Sequence, residues 1–272
     1  MRGRHVLALA APALLLLGLF FVVPMAVVVA NAFQDGTAAF GRLLRLPGFW
    51  PSLAGSLVLT AVAASVSTLV GLAVALHLAR LGERRRTALA LVIALPLTFS
   101  GLIVAYGFIL AYGRAGFFTG LLAMLGFDPA VVGKALFTAS GLAFTSSYYL
   151  IPRVVMAVLP VLVNFDRAQL QAAESLGASR AQAFRHVLLP QVAGPLASAF
   201  CLVAAVVFGA YGTALALVGT GLDILPLRLY SLISETGTDF PAAAALALLI
   251  TAVCAAMITA GEWFGSRHER HL

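Results

Sequence analysis

Six long apolar runs alternate with short polar or turn-rich segments along this chain, at about 6–32, 53–80, 87–112, 136–163, 191–218 and 241–262. A helix needs about 20 apolar residues to cross the hydrocarbon core of a bilayer, so each run predicts one membrane span. The separators are Gln34–Gly36, Gly82–Arg86, Gly126–Pro129, a polar stretch over 164–190, and Ser234–Asp239. The stretches Asp35–Leu53 and Thr220–Phe240 are long enough to lie along the membrane surface as short helices. The first run follows Arg2 and Arg4 and contains Pro24. It is longer than the ~7–15 apolar residues of a cleavable signal peptide, so it is expected to stay as the first span. The pattern predicts an all-α polytopic membrane protein, one transmembrane domain over 1–272, with no soluble domain and no low-complexity linker.

Composition agrees. The chain is 62% hydrophobic and 10% charged, with a mean hydropathy of +1.03. A soluble domain carries about 25% charged residues, so a soluble protein is excluded. Cys201 and Cys254 both sit inside apolar runs, which argues against a structural disulfide or a metal site. A net charge of +7 would suit a nucleic-acid partner. Its distribution instead marks topology. The N-terminus, the second and fourth loops and the C-terminus hold Arg2, Arg4, Arg80, Arg84, Arg85, Arg86, Arg167, Arg180, Arg185, Arg267 and Arg270. The other side holds Arg42, Arg45, Arg114, Lys134 and Arg228. The positive-inside rule then predicts both termini and the 164–190 stretch in the cytoplasm.

That stretch carries its own helix signals. Asp166 and Gln169 are spaced as a capping box, opening a helix that runs to about Leu176 and stops at Gly177. Ser179 and Gln182 form a second box, starting a short helix expected to end before Pro190. Pro190 falls near the first turn of the fifth span, where its missing N–H costs little. The prediction is a stiff helix-turn-helix protruding from the membrane.

The residues of this elbow resemble the cytoplasmic loop of ABC importer permeases, whose pattern reads E-A-A-x3-G-x9-I-x-L-P. Ala172, Ala173, Gly177, Leu189 and Pro190 match at the expected spacing, while Gln171 stands for the glutamate and Val187 for the isoleucine. The resemblance implies the type I importer fold with six spans. It also implies that the elbow inserts into a cleft of a separate ATPase, through Gln171, Ala172, Ala173, Glu174, Gly177, Ala178, Ser179, Arg180 and Arg185. The implied partners are two copies of that ATPase, which bind ATP-Mg, and an extracytoplasmic solute-binding protein. A second permease, related or identical, completes the assembly in the bacterial inner membrane. No nucleic acid is implied. The apolar start Pro12–Pro24 and the loop Ile224–Tyr230 look most like the branch handling polyamines, ferric iron, thiamine and phosphonates. Glutamine at 171 loses the family's charge, which Glu174, one turn later, is placed to supply.

The chain itself shows no chemistry of an enzyme. No Gly-x4-Gly-Lys-[Ser/Thr] phosphate loop exists, since Gly133-Lys134 is followed by Ala135. ATP and any other cofactor are therefore expected elsewhere. His77 is solitary, and His5, His186, His268 and His271 lie at the ends or on the elbow, so no metal site is predicted. Arg153 is the one formal charge well inside a span. A mid-membrane charge costs several kcal/mol or about that, and so faces a cavity or a partner. Two readings stand: it lines the solute path and favours an anion, or it bonds backbone carbonyls freed by Pro152 or Pro160 or snorkels through a wet gap. Tyr149, Ser146 and Tyr211 are the candidate companions on that path, the last within a flexible Gly209–Thr213 segment. The rival class, a secondary transporter driven by an ion gradient, would need an inverted repeat and mid-membrane titratable groups, and neither is present.

Overall fold

A computed structural model of the chain describes residues 2–234 and 239–269, with side chains over 10–234 and 239–266. Residues 235–238, residues 270–272 and the side chains of Arg2, Arg4 and Arg267 lie outside the described residues. Among the described residues every regular element is helical, and six apolar helices are long enough to cross a membrane.

The second, fourth and sixth spans are single helices, Phe49–Ala79, Ala139–Asn164 and Phe240–Glu269. The second starts four residues before its predicted beginning at 53, because the chain turns at Gly48 (φ +89°) and not further on. The first span runs Arg2–Leu17, then a wide i→i+5 turn at Gly18–Val22, then Val23–Ala32. Both predicted surface helices are present, at Ala38–Arg45 and Leu225–Ser234. The first buries Ala39 and Leu43 and turns Arg42 outward, as an interfacial helix must.

Two predicted spans are not continuous. The run 87–112 was expected as one helix, but it breaks. Glu83–Ala94 tightens into a 3-10 turn at Leu95–Thr98, Phe99 is extended, and a new helix runs Gly101–Tyr112 with Ser100 as its N-cap. Pro96 removes a backbone donor and crowds the preceding turn, which ends the first segment. The run 191–218 also breaks: Leu189–Phe208 stops at Gly209, and Gly212–Val218 restarts it. The stretch long enough to cross is Gly101–Met124, which takes in the short helix Phe117–Met124, so the third span lies further along the chain than the expected 87–112. Pro129–Lys134 follows it, capped by Asp128 Oδ1 accepting from the Ala130 N–H at 2.8 Å.

Spans two, four and five make the centre, and their packing rests on small residues. In lipid the apolar surfaces of helices gain little by leaving hydrocarbon, so close backbone approach must do the work. A Cβ placed on Gly71 would lie 2.6 Å from Val154 Cβ, which sets how near the second and fourth spans run. One on Gly261 would lie 2.7 Å from Cys201 Cβ, where the fifth and sixth spans cross, and Ser198 Oγ donates there to the Gly261 carbonyl at 2.9 Å. The first span leans on the sixth and is largely exposed over its described side chains, 10–31. At the end away from the elbow, Arg42 is held between Asp35 (2.9 Å) and Asp239 (3.1 Å), tying the first surface helix to the start of the sixth span.

Candidate functional site

The elbow follows its sequence signals closely. Asp166 Oδ1 accepts from the Ala168 N–H at 2.9 Å, and the helix Ala168–Ser175 follows. Its reciprocal half is missing. Gln169 does not reach back; its Oε1 accepts from Gln191 Nε2 at 2.6 Å, so a tertiary partner outcompetes the local one. The helix ends in a Schellman motif: the Gly177 N–H donates to the Glu174 carbonyl (3.0 Å) and the Ala178 N–H to the Ala173 carbonyl (3.1 Å). That closure requires the left-handed conformation, and Gly177 has φ +91°. The second capping box is complete, with Gln182 N–H on Ser179 Oγ (3.3 Å) and Ser179 N–H on Gln182 Oε1 (2.8 Å).

The second arm departs from expectation. It does not end before Pro190. Arg180–Ala183 passes through a wide turn at Phe184–Leu188, in which the Leu189 N–H reaches the Phe184 carbonyl, and continues unbroken into the fifth span. A wide turn shifts the bonding register, so the helix absorbs the missing N–H of Pro190. The second arm of the elbow is therefore continuous with the fifth span in one helix.

Gln171, Ala172, Glu174, Gly177, Ser179, Arg180 and Arg185 are exposed, while Ala173 and Ala178 are half-buried in the crease between the two arms. A cavity of about 410 Å³ lies in that crease, lined also by Leu176, Gln182, His186 and Val187. Leu176 at the tip is 91% exposed. Sequence reasoning passed over it, although a leucine placed immediately before the turn glycine was the available signal.

The other candidate residues, Tyr211 excepted, gather where the third, fourth and fifth apolar runs meet. The restart of the third span at Gly101 lies directly against Thr213 at the restart of the fifth; a Cβ on Gly101 would collide with the Thr213 hydroxyl. Tyr149 of the fourth span closes this crossing. Its hydroxyl donates to Ser146 Oγ at 3.2 Å and lies 3.4 Å from Thr213 Oγ1. Arg153, one turn further along, donates from Nη1 to the Tyr149 carbonyl at 2.6 Å and places its guanidinium 5.4 Å from the Tyr149 ring centroid. A backbone carbonyl is thus its partner, though not the one Pro152 frees, which belongs to Tyr148. No acidic side chain is within ion-pair distance of Arg153 among the described residues, and most of its five N–H donors stay uncommitted. The structure therefore brings Arg153, Tyr149 and Ser146 together. Tyr211 is not with them. It turns to the far end, its ring 5.7 Å from that of Tyr230, and lines a cavity of about 330 Å³ under the second surface helix. Thr213, two residues on, is the polar group that meets Tyr149.

Residues 67–271 match the model of the binding-protein-dependent transport system inner membrane component family. The chain belongs to this family. The permease is 30% identical over 240 residues to Sulfate permease 2, chloroplastic, of Chlamydomonas reinhardtii, covering 87% of this chain and 63% of that longer protein. It is 29% identical to the Sulfate transport system permease protein CysW of Synechococcus elongatus, covering 93% of this chain and 89% of that one. The fold of the permease superimposes on a subunit of a bacterial alginate ABC transporter, crystallised in complex with an alginate-bound periplasmic protein. The TM-score is 0.75 at 16% identity, over 98% of this chain and 95% of the other. The permease thus has the type I ABC importer fold expected from its elbow, and is a multi-pass membrane subunit of an importer. Membership of this family removes the gradient-driven transporter as a rival.

Proposed function

We propose that this permease seats its Gly177 elbow in a cytoplasmic ATPase and passes an oxyanion of the sulfate or phosphonate kind along a path bordered by Arg153. The observation that carries the first half is the tip: Leu176 stands 91% exposed on a rigid two-armed turn, beside a crease with room for a partner's side chains. An apolar side chain held clear of the span ends gains by burial in a cleft. Gln171, Ala172, Ala173, Glu174, Gly177, Ala178, Ser179, Arg180 and Arg185 form or flank the contact. Glu174 supplies the charge that Gln171 lacks.

The lever works because its second arm and the fifth span are one helix. When two ATPase copies close on ATP, each elbow is drawn inward and the fifth span turns with it. The crossing of Gly101, Thr213 and Tyr149 lies just past the Gly209 end of that helix, so its polar contacts are remade as the path switches sides. This permease pairs with a second one, and an extracytoplasmic binding protein delivers the solute. Relatives named for sulfate and the uncommitted guanidinium of Arg153 both support an anion.

The test is reconstitution of the permease with its ATPase and binding protein in vesicles. ATP-dependent sulfate or phosphonate uptake that disappears on deleting residues 171–180 supports the reading; undiminished uptake ends it. For Glu174, reversal to arginine should impair coupling, and a compensating reversal on the ATPase should restore it.

A further inference from the structure

The elbow is joined to the membrane domain at a second place, which neither the family pattern nor the helix signals mark. Arg167, at the entry to the elbow helix, extends across 88 positions of sequence and donates from Nη2 to the Ala79 carbonyl at 2.8 Å. Ala79 is the last residue of the second span. Its carbonyl is one of those at a helix end for which the helix has no donor of its own. It also sits at the negative pole of a 31-residue helix, where a guanidinium is the best available partner.

Apolar packing beside this tie is limited to Leu170, which leans on the main core cluster. A cavity of about 470 Å³ separates the elbow helix from the ends of the second and fourth spans, with Leu76, Leu162, Phe165, Leu170, Phe184 and Leu188 around it. The elbow helix packs on its own second arm instead. The neighbouring Gln169 is bound to Gln191, at the start of the fifth span, so the two contacts at the elbow's entry lead to different spans.

We infer that Arg167 is a positioning residue of the coupling step: it makes the second span follow the elbow when the ATPase moves it. This rests on the coupling role proposed above. The fifth span is driven through continuous helix, and the second through this charge-assisted bond. The second and fourth spans run in close contact at Gly71 and Val154, so displacing the second also loads the helix that carries Tyr149 and Arg153.

The experiment compares Arg167→Ala, Arg167→Lys and the unaltered permease in the complete transporter, reading solute taken up per ATP hydrolysed. In Arg167→Ala the ATPase should still co-purify and hydrolyse ATP, while the ratio falls about fivefold, the effect of losing one charged hydrogen bond partly exposed to water. Arg167→Lys, which keeps a cationic donor, should recover at least half of the loss. An unchanged ratio in Arg167→Ala, a lysine variant no better than alanine, or loss of the ATPase from the complex would each overturn the inference. If Arg167→Ala does not accumulate in the membrane, Arg167→Gln retains a neutral donor and should give a ratio between those of lysine and the fivefold loss. Failure of the unaltered permease to retain an ATPase would instead sink the elbow's proposed role, independently of Arg167.

Discussion

At Gly177 a helix stops and turns through bonds among its own neighbours, whereas the breaks at Phe99–Ser100, begun by Pro96, and at Gly209–Tyr211 lie where distant parts of the chain meet. Every bond that closes the elbow turn is local: Gly177 to Glu174, Ala178 to Ala173, Ser179 with Gln182. The crossing is the reverse. Tyr149 and Thr213 are 64 positions apart, and Gly101 meets Thr213 from a third span. A local turn keeps its shape while moving as a unit, which suits a part that must be pushed. A crossing held by weak hydroxyl contacts between separate helices can be remade, which suits a part that must open.

The comparison predicts that damage to one region spares the other. The largest effect is expected for Gly177→Val. A Cβ there meets nothing within 4 Å, so the cost is the backbone alone. A side chain in the left-handed region costs about 1–2 kcal/mol, more for a β-branched residue, and the turn should open. ATPase co-purification and uptake should fall at least tenfold, while the melting temperature of the membrane domain stays nearly unchanged. A large fall in melting temperature would show that the elbow is not an independent unit.

Next comes Arg153→Gln. It should leave the ATPase bound and reduce oxyanion uptake by about tenfold, the scale of a hydrogen bond to a charged group. Membrane accumulation should hold or improve, since a mid-membrane charge is removed. Normal uptake by this variant would mean that the Tyr149 carbonyl is the whole reason for Arg153. A smaller change is expected for Tyr149→Phe, which loses the contacts to Ser146 and Thr213. Such bonds between membrane helices contribute about 0.6 kcal/mol, or roughly a threefold change in the balance of states. Uptake rate measured against binding-protein concentration would read it, with ATPase binding unaffected.

The smallest effect belongs to the Arg42–Asp239 pair at the far end. The Arg42 guanidinium, helped by the Ala242 N–H, holds the Asp239 carboxyl below the usual carboxylate range. A lowered folded-state value means the pair's contribution is complete above the ordinary pKa of about 4 and is lost as pH falls through the lower folded value. Both side chains are more than a third exposed, so solvent screens the pair. Melting curves should show a slight extra acid sensitivity below that range, absent in Asp239→Asn.

Much of the fold was legible because lipid imposes a length and a polarity that can be counted. The six runs, both surface helices, the break at Gly177 and the capping box at Ser179 all came from local rules. Gln169 has the right spacing to cap its own helix and was taken by Gln191. Leu189 and Pro190 looked like the end of one helix and the start of another, but a wide turn joined them. Pro96 lay in an apolar run whose composition concealed the break, since hydropathy counts side chains and not backbone donors. Arg167 was read only as a topology charge, because nothing near it in sequence indicates the Ala79 carbonyl.

Sequence alone determined that this chain crosses a membrane, how often, and that it carries a glycine-hinged protrusion. Those properties follow from residue-by-residue transfer free energies and from backbone bonds spanning a few positions. How the broken helices meet at Thr213 and which spans the elbow reaches were decided only by the tertiary structure. Each is a competition between partners far apart in the chain, settled by where packing places them.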